Sequence, residues 1–377
     1  MSNEISILSL DTFIRDSQSP EALHEAQKAT ESLIRTGALI ICDTRAPTEA
    51  NDRFLDLLED YFSQDEVALK MDERPELGFQ VGVTLENTEK PKCASDANCQ
   101  AIIASLDPSE RPQDLKGLGA DPKCRFFHRM SEKPPYQSRF PVLEAPNVQP
   151  RAFAETWEKT LNDWGVFMKQ AVEGVARMMA RGLGLEEETF LNAGRYGSHL
   201  LAPTATNLDR YGKLDTVFAG FHTDLNFLTI HGQSRYPGLH IWARNVGKKI
   251  AVELPFGCML VQAGKQLEWL TGGLIKAGYH EVVCTRATLD TLERRRQEFP
   301  DRPTIRISST LFWHLTPDFE LSPIPSLKQE ADERFGKQED YGKMFVGDQI
   351  KRELGLIALM PASGLEQGLC IQYPEYL

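Results

Sequence analysis

The feature that most limits the possible folds is a series of short strand-like segments in the second half of the chain. Apolar stretches broken by glycine and proline predict strands at 217–231, 239–244, 250–254, 258–262, 280–285 and 304–314. Strands this short and this closely spaced are typical of a β-sandwich or a jelly roll. The sequence therefore predicts an all-β block in this part of the chain.

Helical patterns flank this block. Over residues 152–181 apolar side chains recur at steps of three and four residues, and Gly182 is a typical helix stop. The chain opens with an alternating strand pattern at 5–10, an amphipathic helix at 20–36 and an apolar strand at 37–42. We expect an α+β fold with a β-α-β start, and a loop-rich stretch from about residue 71 to 150.

Composition narrows the function classes. A net charge of −12 disfavours nucleic acid or an anionic membrane as the main partner, because phosphate binding requires clustered lysine and arginine. We interpret the basic cluster at 294–296 as a solvated helix face. No apolar run is long enough for a membrane span, and the first residues lack a secretory pattern, so we expect a cytoplasmic protein. Seven scattered cysteines, an odd number, predict free thiols in a reducing compartment.

His222 and Asp224 lie two residues apart inside an apolar strand pattern. On a strand this spacing directs both side chains to one face, where an imidazole nitrogen and a carboxylate oxygen can bind the same cation. Taken alone, the pair is equally compatible with a core histidine beside an aspartate that ends its strand.

His280, at the start of a later strand, is the best candidate for a third ligand. Two histidines and one carboxylate leave three coordination positions open, which suits Fe(II) that must also bind a substrate or co-substrate and O2. Zinc would favour a tetrahedral site with one water. The other candidates are His231, His240 and His314, to which we assign structural roles.

Arg306 and Ser308 repeat the two-residue spacing on the last predicted strand. A guanidinium and a hydroxyl on one face suit a carboxylate, and a buried arginine needs an anionic partner. A dicarboxylate co-substrate would supply one. By itself the pair is also compatible with a strand arginine that binds an acidic side chain.

The pattern His222-x-Asp224, His280 and Arg306-x-Ser308 resembles the 2-oxoglutarate and Fe(II)-dependent oxygenases, in the branch that includes isopenicillin N synthase. Residues 267–283 resemble the segment that introduces the distal histidine. The resemblance is strongest from about residue 218 to 325. It implies a double-stranded β-helix, or jelly roll, with a long helix outside and an N-terminal α/β extension.

By the same resemblance His222, Asp224 and His280 would bind iron, and Arg306 and Ser308 would hold the distal carboxylate of 2-oxoglutarate. In isopenicillin N synthase the matching arginine and serine hold the substrate instead, and no 2-oxoglutarate is used. We assign 1–150 to the extension, 151–330 to the oxygenase core and 331–377 to a C-terminal tail.

Two departures from the family pattern concern the site. Roughly twenty-five residues separate His280 from Arg306, more than is usual, and 288–302 is predicted to be an inserted helix and turn. Members that use 2-oxoglutarate often carry an Asn-x-Tyr-Pro element, whereas 199–203 reads His-Leu-Leu-Ala-Pro. The usual tyrosine contact is therefore missing.

The first hypothesis is an enzyme that uses Fe(II), O2 and 2-oxoglutarate to oxidise a C–H bond of a small molecule by hydroxylation, desaturation or cyclisation. The second is an oxidase like isopenicillin N synthase, which uses O2 without 2-oxoglutarate. The third is a non-catalytic metal-binding protein. Segments 78–82 and 125–129, with Asn226, Phe227 and Gln262, are candidates for the pocket wall.

Overall fold

The structure is a computed structural model that describes residues 5–91, 93, 96–113, 115, 119–243 and 247–356. The strands in these residues are short. They are β1 (Ile7–Ser9), β2 (Ala38–Cys42), β3 (Gly82–Thr84), β4 (Cys124–Arg129), β5 (Leu200–Leu201), β6 (Thr204–Asn207), β7 (Val217–Thr223), β8 (Leu228–His231), β9 (Leu239–Ala243), β10 (Lys248–Ala251), β11 (Cys258–Ala263), β12 (Tyr279–Val283), β13 (Ile305–Ser308), β14 (Thr310–Trp313), β15 (Glu320–Leu321) and β16 (Met344–Phe345).

The helices occur mainly before and after the strand-rich part. They are α1 (Asp11–Arg15), α2 (Pro20–Thr36), α3 (Thr48–Phe62), α4 (Glu66–Lys70), α5 (Ala97–Ser105), α6 (Trp157–Gly182), α7 (Thr189–Gly194), α8 (Leu208–Tyr211), α9 (Lys265–Leu270), α10 (Arg286–Glu298), α11 (Pro325–Phe335) and α12 (Val346–Leu356). In the described part of the chain, no helix is both long and apolar enough to cross a membrane.

Two sheets form the centre of the fold. The larger has the strand order β1-β2-β11-β8-β14-β5-β4-β6-β13, with β3 beside β4, and the smaller has the order β10-β9-β12-β7. Buried apolar side chains of β2 and β11 pack against Ile241 of β9, so the two sheets face each other across a common interior. The chain passes from one sheet to the other between β7 and β8. This arrangement confirms the predicted α+β jelly roll.

The N-terminal segment joins the larger sheet directly. Strands β1 and β2 are parallel, as the predicted β-α-β start requires, and β2 then pairs with β11. Helix α2 begins at the Ser19 cap, whose side chain accepts a hydrogen bond from the Ala22 N–H, and ends at Gly37 with φ of 71°. Hydrogen bonds thus cross the predicted boundary at residue 150, while the division into 1–150, 151–330 and 331–377 remains a prediction.

Helix α6 covers the outer face of the larger sheet. Its apolar stripe packs against β8 and β14, whose Ile230 and Leu311 belong to the same main core. The indole of Trp164 also donates a hydrogen bond of 2.7 Å to the Ser309 hydroxyl, between β13 and β14. The long helix and its position outside the jelly roll confirm the prediction for 152–181.

The sequence prediction of a single strand over 217–231 is wrong. Strand β7 ends at Thr223, and residues 224–227 form the turn that leads into β8 in the other sheet. Asp224 therefore follows the strand that carries His222 instead of lying within it.

The prediction of free thiols is wrong for four of the cysteines. Cys42 and Cys258 face each other on β2 and β11 and form a disulfide, and Cys93 forms a second disulfide with Cys99. Cys124 and Cys284 are free, and Cys370 lies outside the described residues. Cysteine spacing did not reveal the first pair, because strand register places Cys42 opposite Cys258. The second pair closes a local segment, with a sequence separation of 6.

The inserted helix between His280 and Arg306 is present as α10, but the basic cluster at 294–296 is not simply a solvated face. Arg295 lies 3.5 Å from the buried carboxylate of Glu59 on α3, and it donates a 3.3 Å hydrogen bond to the Tyr236 hydroxyl. Arg296 does lie at the surface, paired with Asp209. Tertiary contacts thus use Arg295 to attach the inserted helix to the body of the fold.

Candidate metal centre

His222 and His280 are cross-strand neighbours in the smaller sheet. Strands β7 and β12 are antiparallel, and these two residues are directly opposite each other. Residues opposite each other in an antiparallel pair present their side chains on the same face, close together. The two imidazole ring centroids are 4.2 Å apart. The register of β7 and β12 therefore brings together two histidines that are far apart in sequence.

Asp224 completes the group from the turn after β7. Its Oδ1 atom lies 3.8 Å from Nε2 of His222 and 3.8 Å from Nε2 of His280. The three candidate ligand atoms are all within 4.8 Å of one another. Two imidazoles and one carboxylate on one side leave the opposite side open, which is the donor set expected for a non-haem iron site.

Hydrogen bonds orient each of these side chains. Nδ1 of His222 donates to the Gly220 carbonyl oxygen at 2.6 Å, and Nδ1 of His280 lies 3.5 Å from the Gly278 carbonyl oxygen. These contacts leave both Nε2 atoms available to a metal. The Thr229 hydroxyl donates to Oδ2 of Asp224 at 2.6 Å, so that Oδ1 remains directed at the histidines.

Electrostatics favour the protonation states that a metal requires at His222 and Asp224. Burial, followed by the nearby His280, lowers the pKa of His222 to about 3, so its imidazole is neutral at ordinary pH. Burial raises the pKa of Asp224, but the two histidines and the Thr229 hydrogen bond outweigh it, and the net pKa is lowered. A neutral imidazole and an ionised carboxylate fit a divalent cation.

Replacing Thr229 with valine should weaken metal binding by about 10- to 100-fold. The substitution keeps the side-chain shape but removes the hydroxyl that orients Asp224, and the carboxylate can then rotate away from the histidines. Anaerobic Fe(II) titration of both proteins measures the effect. Thr30→Val is the matched control, because the buried Thr30 hydroxyl has no hydrogen-bond partner among the described residues. Equal affinity of the Thr229 variant and the control would contradict the orienting role.

Arg306 lies in the interior between the sheets, 5% exposed. Its Nη1 donates to the Ser308 hydroxyl at 2.6 Å and its Nε donates to the Pro237 carbonyl oxygen at 3.3 Å. Among the described residues it makes no ion pair, and burial lowers its pKa to about 10. A buried guanidinium without an acidic side chain fits an anionic ligand, which here would be a carboxylate.

A cavity of about 310 Å³ contains Arg306 and Ser308 together with His231 and Tyr236. Sequence reasoning gave His231 a structural role, yet its side chain lies in this cavity, where Nε2 contacts Oε1 of Gln262 at 3.0 Å and Nδ1 contacts the Thr310 hydroxyl at 3.1 Å. Its sequence context offered no signal, because only the pairing of β8 with β11 and β14 places these polar groups together.

A second cavity, of about 120 Å³, opens beside His222 and Asp224. Of the candidate wall residues, Gln80, Arg125, Phe127 and Asn226 line it. Sequence reasoning missed Glu89, Asp121 and Lys123, which also line it, because the loops that carry them show no periodic pattern. The candidate metal centre thus lies close to two cavities, the one that contains Arg306 and the one lined by His222 and Asp224.

Burial also lowers the pKa of several histidines in and around the site. The pKa is lowered to about 4 for His128 and His231, to about 3 for His222 and His314, and well below the usual value for His199. In the unfolded chain a histidine titrates near about 6.5. Below that pH the unfolded state binds protons at these histidines and the folded state does not. The free energy of unfolding should therefore fall as pH decreases from about 6.5 to 4.

Between pH 7.5 and 5.5, each such histidine should lower the free energy of unfolding by about 1 kcal/mol. Urea unfolding of the metal-free protein measures this change. His128→Gln should reduce this pH dependence, because one proton-uptake site of the unfolded chain is removed. His24→Gln, at an exposed position, is the control and should not. An identical slope for wild type and the His128 variant would contradict the role of burial.

Comparison with known proteins is consistent with this geometry. Residues 195–315 match the family model of the 2OG-Fe(II) oxygenase superfamily. A gibberellin 3-beta-dioxygenase 2-1 of Triticum aestivum is 25% identical over 193 residues, which are 47% of this chain and 50% of that protein. The chain thus spans about half the length of that relative.

Solved structures extend the similarity to nearly the whole chain. A 2OG-Fe(II) oxygenase family protein of Caulobacter crescentus has a TM-score of 0.68 and 19% identity, with coverage of 94% of this chain and 99% of that one. A full-length Neurospora crassa protein, in complex with alpha-KG and thymine, has a TM-score of 0.67 and 17% identity, with coverage of 94% and 98%. At these identities the structural similarity establishes the fold.

Proposed function

We propose that this chain is an Fe(II)- and 2-oxoglutarate-dependent oxygenase that oxidises a C–H bond of a small molecule, since residues 195–315 match the family model of the 2OG-Fe(II) oxygenase superfamily. The observation that supports it most is Arg306, a buried guanidinium without an acidic partner among the described residues. It shares a cavity with His231, whose ring centroid lies 6.2 Å from that of His280. A dicarboxylate co-substrate would supply the missing anion.

In this proposal the chain's own residues bind and orient the reactants. His222, Asp224 and His280 would hold Fe(II) through Nε2, Oδ1 and Nε2. Arg306 and Ser308 would bind the distal carboxylate of 2-oxoglutarate in the cavity that they share with His231. When bound, iron would supply the oxidising chemistry, in which 2-oxoglutarate and O2 give succinate and CO2 and the second oxygen atom leaves in the product or in water.

The substrate would enter the second cavity, on the side of His222 and Asp224. Apolar side chains such as Phe127, Leu200 and Phe312 form part of its wall and would exclude water from the reacting carbon. The Neurospora crassa structure holds thymine together with alpha-KG, which supports a small molecule as substrate for this chain.

Anaerobic titration with Fe(II) and then 2-oxoglutarate tests the proposal. The chelated complex has a visible charge-transfer band, which we expect in the wild-type protein. Iron binding without the band would favour an oxidase that draws its electrons from the substrate alone, with Arg306 binding that substrate. Failure to bind iron would rule out the proposal.

A further inference from the structure

Four charged side chains form a compact group on the wall of the second cavity. In this charged cluster, Nζ of Lys123 lies 2.7 Å from Oδ2 of Asp121 and 3.4 Å from Oε2 of Glu89, and Arg125 forms an ion pair with Oε1 of Glu89. The side chains are only 6–13% exposed. All four residues line the cavity, so the cluster is part of a binding surface as well as of the protein interior.

The charged cluster is attached to the strand that carries His222. The N–H of Gly220 on β7 donates a 3.1 Å hydrogen bond to Oδ1 of Asp121. Gly220 also allows a close approach, because a Cβ atom there would lie 3.1 Å from the side chain of Pro91, another wall residue. The cluster therefore has a defined position relative to the candidate metal centre.

The two acids and two bases of the charged cluster balance each other. Burial opposes ionisation, but the ion pairs outweigh it: the pKa of Glu89 is lowered and that of Lys123 is raised. With two carboxylates and two basic side chains, the charged cluster has a formal net charge of zero. Arg306, in the other cavity, has no such compensation among the described residues. Outside the candidate metal centre, the second cavity is also lined by one further base, Lys90, and one further acid, Glu353, which keep its formal charge balanced. The two cavities thus differ in the charge of the ligand that they suit.

On the basis of the proposed function, we propose that the second cavity takes an uncharged small molecule in which an N–H donor and an oxygen acceptor are bonded to the same carbon, such as a primary amide, lactam or ureide. Its N–H would donate to Glu89 and its carbonyl would accept from Arg125. Its apolar part would lie on the wall formed by Phe127, Leu200 and Phe312, where the two phenyl centroids are 6.3 Å apart.

A carboxylate in the same place is disfavoured because it only accepts hydrogen bonds. If it bound Arg125 it would lie beside the Glu89 carboxylate, which pairs with the same guanidinium, and two like charges so close together disfavour binding. An amide leaves the ion pairs intact and uses both kinds of group.

Pairs of an amide and its matching acid test whether the second cavity prefers uncharged amides. We would measure, by isothermal titration calorimetry, the binding of indole-3-acetamide and indole-3-acetate, and of benzamide and benzoate, to the metal-free protein and to its anaerobic complex with Fe(II) and 2-oxoglutarate. We expect each amide to bind about tenfold or more tightly than its acid. Acids that bind as well as the amides, or no saturable binding of either amide, would overturn the proposal.

Variants of the charged cluster distinguish an effect of its charge balance on ligand preference from a purely structural role of Glu89. Glu89→Gln leaves one excess positive charge and should shift the preference toward the acids, whereas the double variant Glu89→Gln with Arg125→Gln restores neutrality and should remove that shift. Glu86→Gln is the matched control, since Glu86 lies in the same loop but pairs with Arg210. A Glu89 variant that lowers the melting temperature without changing the acid-to-amide ratio would contradict the proposal.

The oxygenase proposal and the substrate-class proposal are contradicted by different results. No charge-transfer band with Fe(II) and 2-oxoglutarate, together with an intact amide preference in the metal-free protein, counts against the oxygenase proposal alone. An intact band with a preference for acids counts against the substrate class alone.

Discussion

Iron binding should be lost when His222 is replaced by alanine, with a fall in Fe(II) affinity of at least about a hundredfold. Removing an orienting contact of a metal ligand already costs about 10- to 100-fold, and this change removes a ligand itself. His280 and Asp224 would remain as two donors, too few to hold the ion in a defined geometry. Anaerobic Fe(II) titration, followed by O2 consumption with 2-oxoglutarate, measures both binding and its consequence.

His240→Ala is the matched control for this experiment. His240 is a partly buried histidine on β9, in the same sheet, and its Nδ1 contacts the Gly238 carbonyl oxygen. It should retain iron binding. If the His222 variant bound iron as well as the His240 variant, the metal would have to lie elsewhere.

Replacing Arg306 with methionine should lower the affinity for 2-oxoglutarate by about thirtyfold or more. Removing one member of a buried, hydrogen-bonded charge pair costs about 2–5 kcal/mol, and about 1.4 kcal/mol corresponds to a factor of ten. The same change should raise the melting temperature of the metal-free protein, because in the absence of ligand the guanidinium is a buried charge without an acidic partner among the described residues. Iron affinity itself should not change.

Arg302→Met separates this effect from the general loss of an arginine. Arg302 pairs with Glu59 and Asp60 of α3, away from the Arg306 cavity, so its removal should lower stability and leave 2-oxoglutarate affinity unchanged. The charge-transfer titration and thermal unfolding of both variants provide the measurements. Unchanged co-substrate affinity in the Arg306 variant would mean that the second carboxylate binds another group.

Residue spacing identified the candidate site better than the strand pattern did. The two-residue steps of His222-x-Asp224 and Arg306-x-Ser308 predicted that each pair would act on one side, and the structure brings the first pair to within 3.8 Å. Asp224 nevertheless lies in the turn after β7, because the chain changes sheet there. An apolar pattern that continues across such a turn does not reveal the change.

The sequence by itself determined the helices and strands that form through interactions between residues close together in the chain. Helices α2 and α6 follow from apolar periodicity and end at glycine, and the short apolar segments between Gly and Pro form the strands of the jelly roll. The residue types needed for a metal site were equally visible. Local preference acts over a few residues, so it can be read directly from the sequence.

Only the tertiary structure decided which of these groups meet. The register of β7 and β12 places His222 opposite His280, and the pairing of β2 with β11 places Cys42 opposite Cys258. The charged cluster likewise joins Glu89 to side chains more than thirty positions later in the chain. Such contacts depend on strand register and on the packing of loops against a finished sheet, and neither is encoded in the spacing of neighbouring residues.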